Sequence, residues 1–166
     1  MTAAATATVA AVGGGSLALA GGEPRTVQAA RSEAVGRVIV VDGRGRTLYR
    51  LPGETPHQLL CLGSCPQSWP PLTVPSRNAK LVKGPGVQGR LAVFHRPDGK
   101  LQVTLRGSPL YHFSGDHLAG QARGRGIHSV GGGVWGVVTA RSTKPPPIQP
   151  PPPIPGPKLP PIPPPI

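Results

Sequence analysis

The middle of the chain alternates short β-strand patterns with turn residues. Residues 38–41 are a β-branched run that meets the turn signal Asp-Gly-Arg-Gly at residues 42–45, and residues 47–51 resume an apolar pattern. Residues 91–95 and 101–105 flank a second turn signal, Arg-Pro-Asp-Gly, in the same way. Each pair of runs predicts a β-hairpin.

Two more strands are expected further along, at residues 109–113 and 134–138. No stretch of ten or more residues combines helical periodicity with capping residues. The sequence therefore predicts an all-β domain of antiparallel strands, either a sandwich or a barrel-like form.

The two halves of this region carry the same motif. Residues 47–54 align with residues 109–116, because each has a Leu-Tyr pair, an apolar residue two positions after the tyrosine, and then Gly followed by an acid. A tryptophan followed four residues later by threonine recurs downstream, and the two offsets are 62 and 66 residues. This spacing predicts a duplicated unit whose aromatic residues form the centre of the core. The motif positions are Tyr49, Glu54, Trp69, Tyr111, Phe113, Asp116 and Trp135.

Composition separates a region that can fold from one that cannot. All of the aromatic residues lie between residues 49 and 135, whereas 14 of the 24 prolines lie between Pro145 and Pro165. We expect residues 36–141 to form one domain and residues 142–166 to be a disordered polyproline II tail. The tail is interpreted as a spacer, with a ligand for an aromatic groove as the alternative. Residues 23–35 are interpreted as a linker.

The first 22 residues resemble a secretion signal. They contain no charged side chain, and Ala-Leu-Ala at residues 18–20 is typical of a signal-peptidase site. No Lys or Arg precedes the apolar run and three glycines interrupt it, so a merely disordered leader is the alternative. We expect a secreted, extracytoplasmic protein of the cell envelope, without a transmembrane helix in the mature chain.

The charge indicates which partners to expect. Of the 18 Lys and Arg residues behind the formal net charge of +12, 14 lie in residues 36–141, beside only four acids. Such a surface favours an anionic envelope surface, with another envelope protein as the other candidate partner. Because no three basic residues are consecutive and no aromatic platforms lie between them, nucleic acid is disfavoured.

The chain has two cysteines, Cys61 and Cys65, separated by three residues. In an exported protein such a pair most simply forms a local disulfide. A redox or metal site is the alternative, but the spacer differs from the two-residue spacer of thioredoxin-like motifs and zinc knuckles.

Several of these motifs together resemble a known family, the secreted repeat of unknown function, also described as predicted lipoproteins with a Yx(F/W/Y)xxD motif. Residues 111–116 fit that motif in full, and residues 49–54 are a degenerate copy with Leu and Glu at the last two motif positions. The two cysteines followed by Trp-Pro-Pro also resemble the family. The resemblance covers about residues 36–140 and implies an exported envelope protein. The family's lipid-bearing cysteine has no counterpart near position 20.

The acids and motifs do not predict an enzyme. Asp42 and Asp98 occupy turn positions where aspartate forms local hydrogen bonds. Glu54 and Asp116 are expected to accept backbone N–H groups of a loop, with a binding role as the alternative. The sequence contains no serine-hydrolase elbow, zinc-protease motif or phosphate loop. We therefore expect a non-enzymatic binding or structural module.

Three histidines support a second hypothesis, a metal- or redox-linked extracytoplasmic accessory protein. His112, His117 and His128, with a carboxylate, are of the residue types that bind copper, zinc or haem iron. The simpler interpretation is that each histidine faces solvent; His112, in particular, alternates with Tyr111 and Phe113 on its strand. No cofactor is expected beyond this candidate metal.

Overall fold

The computed structural model describes residues 25–140. The predicted leader, residues 1–22, and the predicted proline-rich tail, residues 142–166, lie outside the described residues. Within residues 25–140 the regular elements are strands and one short helix, in the order β1 (Val27–Ser32), β2 (Arg37–Asp42), β3 (Tyr49–Arg50), α1 (Cys65–Ser68), β4 (Leu91–His95), β5 (Leu101–Leu105), β6 (Ser108–Pro109) and β7 (Gly136–Val137).

The strands form antiparallel sheets. β1 pairs with β2, β3 pairs with β7, and β4, β5 and β6 form a three-stranded sheet in that order. None of these sheets closes into a barrel within residues 25–140. The all-β antiparallel class is therefore confirmed for this range.

The second predicted hairpin has the expected strands, and the first has an additional partner. β4 and β5 pair from Leu91 opposite Leu105 to His95 opposite Leu101. β2 returns through its predicted turn to a bridge between Val41 and Thr47, but its regular partner is β1. The prediction that residues 23–35 are a linker is therefore wrong for residues 27–32, because β1 contains Gln and Ala and becomes a strand through pairing with β2.

The other predicted strands are shorter than expected. Only residues 49–50, 108–109 and 136–137 are regular strands, because single bridges to different neighbours interrupt the ladders. The helix α1 is a single turn with Pro66 in its first turn, which is too short for a sequence pattern to reveal.

Three chain segments meet in a closed triangle of backbone hydrogen bonds in the first half. Leu48 N–H donates to Val40 O at 3.1 Å, Val40 N–H donates to Val138 O at 2.7 Å, and Val138 N–H donates to Leu48 O at 2.8 Å. The third corner therefore comes from the C-terminal end of the described chain. Ala140 N–H continues this pairing by donating to Val38 O at 3.3 Å.

The second half contains the same triangle. Leu110 N–H donates to Val103 O at 3.1 Å, Val103 N–H to Leu72 O at 2.8 Å, and Leu72 N–H to Leu110 O at 2.9 Å. Val74 N–H continues it by donating to Leu101 O at 3.0 Å. The segment after Trp69 completes the triangle of the second half, and the segment after Trp135 completes the triangle of the first half.

Two groups of buried side chains form the core. The six triangle residues are buried except Leu72, which is partly buried against them. The first group is aliphatic and consists of Val27, Val40, Leu48, Val87, Val103, Leu105, Leu110 and Val138. The second group is mainly aromatic and consists of Tyr49, Leu51, Cys61, Trp69, Tyr111 and Trp135.

Candidate functional site

Tyr49 and Tyr111 lie side by side at the centre of the molecule. Tyr49 N–H donates to Tyr111 O at 2.8 Å, and Tyr111 N–H donates to Tyr49 O at 3.0 Å. Both side chains are fully buried. The two motif copies are therefore joined directly through their tyrosines, on antiparallel segments.

The tyrosine hydroxyl groups bind the acids of the opposite motif copies. Tyr49 Oη donates to Asp116 Oδ2 at 2.6 Å, and Tyr111 Oη donates to Glu54 Oε1 at 2.9 Å. A degenerate copy with Glu in place of Asp makes the same kind of bond, because the longer side chain still reaches the hydroxyl group. The acid position of the motif thus holds the tyrosine of its partner copy.

Each acid also fixes a loop, as the sequence analysis expects. Glu54 Oε1 accepts Leu60 N–H and Cys61 N–H, both at 2.9 Å, and Asp116 Oδ1 accepts Arg123 N–H at 2.9 Å. Carboxylates that accept several N–H and O–H groups form charge-assisted hydrogen bonds. Each acid therefore connects a loop of its own copy to the tyrosine of the other copy.

The two tryptophans stack between the tyrosines. The ring centroids of Trp69 and Trp135 lie 3.9 Å apart, and the angle between the ring planes is 9°. Tyr49 packs edge-on against Trp69 with centroids 5.4 Å apart, and Tyr111 packs edge-on against Trp135 at 5.1 Å. Phe113 adds a ring 4.6 Å from Trp69. The aromatic motif residues therefore form one cluster.

Gly124 is a contributor to this cluster that lies in a glycine-rich loop, Gly-Arg-Gly at residues 124–126. Its N–H lies 3.2 Å from Tyr49 Oη, and a Cβ atom at this position would lie 2.7 Å from Trp69 Cη2. Only glycine fits against the ring there. A glycine in a loop carries no signal of such a contact in a single sequence.

Arg96 is the second contributor that sequence reasoning missed. Its side chain is fully buried although it belongs to the turn after β4. The guanidinium donates to Cys61 O at 2.9 Å and Gln102 Oε1 at 2.6 Å, and lies 3.3 Å from Tyr111 Oη. Asp98 Oδ2, at 3.2 Å from Nε, supplies the opposite charge. The buried charge is therefore bonded in several directions.

The environment keeps both tyrosines protonated. Burial, and then the hydrogen bond to Asp116 and its charge, raise the pKa of Tyr49 well above the ordinary value of 10.0. Burial and the charge of Glu54 raise the pKa of Tyr111 in the same way, against an opposing effect of Arg96. Both hydroxyl groups are thus donors to carboxylates.

The disulfide that joins Cys61 and Cys65 is present. Cys61 is fully buried in the aromatic cluster, and Cys65 begins α1, which leads directly to Trp69. Cys65 O accepts Trp69 N–H at 2.9 Å. The bridge therefore holds the loop that positions one of the stacked rings.

His112 does not face solvent, contrary to expectation. Its Nε2 lies 3.3 Å from a terminal guanidinium nitrogen of Arg46 and 3.8 Å from Asp42 Oδ2, and it is only 8% exposed. The alternation of side chains along the strand does direct His112 to the face opposite Tyr111 and Phe113. The turn at residues 42–46 covers that face as well. Burial, followed by the Arg46 charge, lowers the pKa of His112 from 6.5 to about 4, against an opposing effect of Asp42.

The three candidate metal ligands are not brought together. His117 and His128 are exposed, whereas His112 is buried against the 42–46 turn. Over residues 25–140, no three His, Cys, Asp or Glu side chains are grouped so that they could hold a metal ion. His57 and His95 line an open groove of about 430 Å³ beside Arg96.

The outer surface is basic while most of the acids lie inside. Within residues 25–140 every Lys and Arg is exposed except Arg96 and Arg106. Asp42 and Glu54 are buried and Asp116 is half-buried, so Glu33 and Asp98 are the exposed acids of this range. Asp42 forms the local bonds expected of a turn residue, accepting the N–H groups of Arg44 and Arg46, each at 2.9 Å.

Comparison with known proteins finds a similarity in the second half of the domain. Residues 92–139 match the sequence model of a family described as a secreted repeat of unknown function. No curated protein and no solved structure is significantly similar to the chain. Among residues 25–140, no helix has the length and hydrophobicity needed to cross a membrane.

The matched range begins within β4 and includes Tyr111, Asp116 and Trp135, so it spans the complete second copy of the motif. Over residues 92–139 this chain is thus similar to the secreted repeat of unknown function, and the protein is secreted and extracytoplasmic.

Proposed function

We propose that this protein is a non-enzymatic binding module of the cell envelope, in which two interlocked copies of one β-unit present a basic surface to anionic groups of the envelope. The observation that carries the proposal is the separation of its charges. The motif acids are engaged inside, whereas nearly all basic side chains of residues 25–140 are exposed.

The two-unit arrangement supports a structural role for the motif. Val40 and Val103 occupy the same corner of the two triangles, as do Leu48 and Leu110. β1 precedes the residues of the first triangle in the chain, and β4 precedes Val103 and Leu110 of the second. The first unit then runs from β1 to residue 74, and the second from β4 to residue 140.

The motif side chains support the absence of catalysis. Each tyrosine hydroxyl group is bound to a carboxylate, and the cysteines are joined in a disulfide. The tyrosines and acids of the motif and the two cysteines are thus engaged in holding the domain together. This leaves the basic exterior as the part of the domain that is suited to a partner.

Four exposed arginines allow a direct test. The side chains of Arg31, Arg37, Arg123 and Arg125 have no hydrogen bond or ion pair with residues 25–140. Replacing all four by Gln should leave the fold intact and weaken binding to vesicles that contain an anionic phospholipid. Binding should also fall steeply with added salt, because exposed charges are screened.

Cosedimentation of the full chain with anionic vesicles, with zwitterionic vesicles as reference, measures this. A matched control replaces the exposed residues Gln58, Gln67 and Gln88 by Ser, which leaves the net charge unchanged. Equal binding of the wild type to both vesicle types, or equal binding of the arginine and control variants to the anionic vesicles, would contradict the proposal.

A further inference from the structure

Among residues 25–140, nothing pairs with the outer edge of β4. Arg96 N–H donates to Lys100 O and Arg106 N–H to Arg90 O, so the even-numbered positions of β4 direct their backbone groups toward β5. The backbone groups of Leu91, Val93 and His95 therefore point away from β5, and no acceptor or donor among residues 25–140 meets them. The side chains of residues 91–94 are only half-buried. An apolar edge of this kind is a template for association with other chains.

The corresponding edge in the first unit is covered. β1 pairs with β2 in the first unit in the same way as β4 pairs with β5 in the second. Val27 in β1 is therefore the counterpart of Leu91 in β4. Val82 O accepts the N–H groups of Thr26 and Val27 at 2.8 and 3.2 Å, and Gly84 N–H donates to Val27 O at 2.7 Å. Residues 82–84 thus lie along β1 as a parallel partner.

The covering segment follows the end of the first unit at a defined distance. Val74 N–H, which pairs with Leu101 O, precedes Val82 by eight residues. Ala140 N–H occupies the equivalent place by pairing with Val38 O, and eight residues later the chain reaches Ile148. Leu-Val-Lys at residues 81–83 therefore corresponds to Pro-Ile-Gln at residues 147–149.

We propose that residues 147–149 lie along the outer edge of β4, with Ile148 O accepting Leu91 N–H, as residues 81–83 lie along β1. The proposal rests on the two-unit arrangement above, but not on the binding of anions. An open groove of about 460 Å³ borders the first residue of β4 and is lined by Leu81, Lys83, Gly89, Arg90 and Leu91. It provides room beside this edge.

The sequence of the segment suits an edge position. Between residues 145 and 153 only Ile148 and Gln149 carry a backbone N–H, since every other residue is proline. Pro150 replaces Gly84, so the bond from Gly84 to Val27 O has no counterpart. Proline carbonyl groups accept hydrogen bonds, but the missing N–H groups prevent a further strand from joining. The segment thus terminates the sheet.

A photo-crosslinking residue at position 149 of the full chain tests this placement. Crosslinks should reach residues 89–93 and be absent when the same residue replaces Pro163. Mixing isotopically heavy and light chains distinguishes the source of the segment, because only an intermolecular contact gives heavy–light products. Heavy–light products would assign the edge to a second copy and overturn the proposal, as would the absence of crosslinks to residues 89–93.

Hydrogen exchange gives an independent measurement. The amide of Leu91 should exchange at least about tenfold faster in the Ile148→Asp variant than in the wild type, since local protection reflects local hydrogen bonding. The matched variant Ile154→Asp should not change the exchange of this amide, and the Val103 amide reports whether the fold is intact. Equal exchange in all three proteins would overturn the proposal, whatever the vesicle assay shows.

Discussion

The hydroxyl group of Tyr49 lies 2.6 Å from the carboxylate of Asp116, although 67 residues separate them along the chain. Tyr111 repeats the relationship with Glu54 at 2.9 Å across 57 residues. The motif is therefore completed between units, because each tyrosine binds the acid of the other copy.

A double-mutant cycle should measure the coupling between Tyr49 and Asp116. We expect Tyr49→Phe and Asp116→Ala to show a coupling free energy of about 1 to 3 kcal/mol, as for a hydrogen bond to a charged group. Urea unfolding of the wild type, both single variants and the double variant gives the value. The control cycle pairs Tyr49→Phe with Glu54→Ala, and its coupling should be distinctly smaller. Similar values in both cycles would contradict the assignment of partners.

The burial of His112 makes stability depend on pH. Its pKa is lowered in the folded protein from 6.5 to about 4, so the unfolded chain takes up the proton first as the pH falls. The free energy of unfolding should therefore decrease between pH 6.5 and 4, by about 3 kcal/mol from this residue, and this contribution is fully present above pH 6.5.

Unfolding experiments over this pH range check the assignment. His112→Gln should flatten the pH dependence, whereas the same change at the exposed His128 should leave it as in the wild type. A dependence that persists unchanged in His112→Gln would show that another group causes it.

The disulfide should contribute modestly to stability. Reducing a bridge that closes so short a loop should lower the free energy of unfolding by about 2 kcal/mol on the chain-entropy estimate. Mass spectrometry of native material should show no thiol labelling until a reductant is added. The variant Cys61→Ser with Cys65→Ser should match the reduced protein, and labelling of both thiols before reduction would contradict the pairing.

The leader should be absent from mature protein. Ala-Leu-Ala at residues 18–20 motivates this prediction, and N-terminal sequencing of protein isolated from the native envelope tests it. A new terminus close to residue 21 is expected. Recovery of chains that begin at Met1 from that fraction would contradict removal of the leader.

Local patterns in the sequence predicted the hairpin of β4 and β5, the placement of the paired tyrosines and the loop-fixing role of the acids. They could not predict β1, because Gln and Ala give little strand signal and the strand depends on its pairing with β2. The expectation that His112 is exposed assumed that one face of its strand is open. Turn residues that are distant in sequence cover that face, and alternation does not report such contacts.

The sequence also could not predict that each tyrosine binds the acid of the other motif copy. Aligning the two motif copies shows that Tyr49 and Tyr111 are equivalent, but equivalence does not indicate which acid each tyrosine binds. Arg96 and Gly124 illustrate the same difficulty, because the turn or loop in which each lies already accounts for the presence of that residue type. Their contacts join segments that are far apart in the chain.

The triangle formed by Val40, Leu48 and Val138 has a consequence for the order of events during export. In N-to-C export its first two corners emerge long before the third, so the N-terminal half cannot close until Val138 has emerged. The second triangle can form as soon as Leu110 is outside, because Leu72 and Val103 precede it. The C-terminal half is thus the first to be completed, and the earliest residues to reach the outside wait longest for their partner.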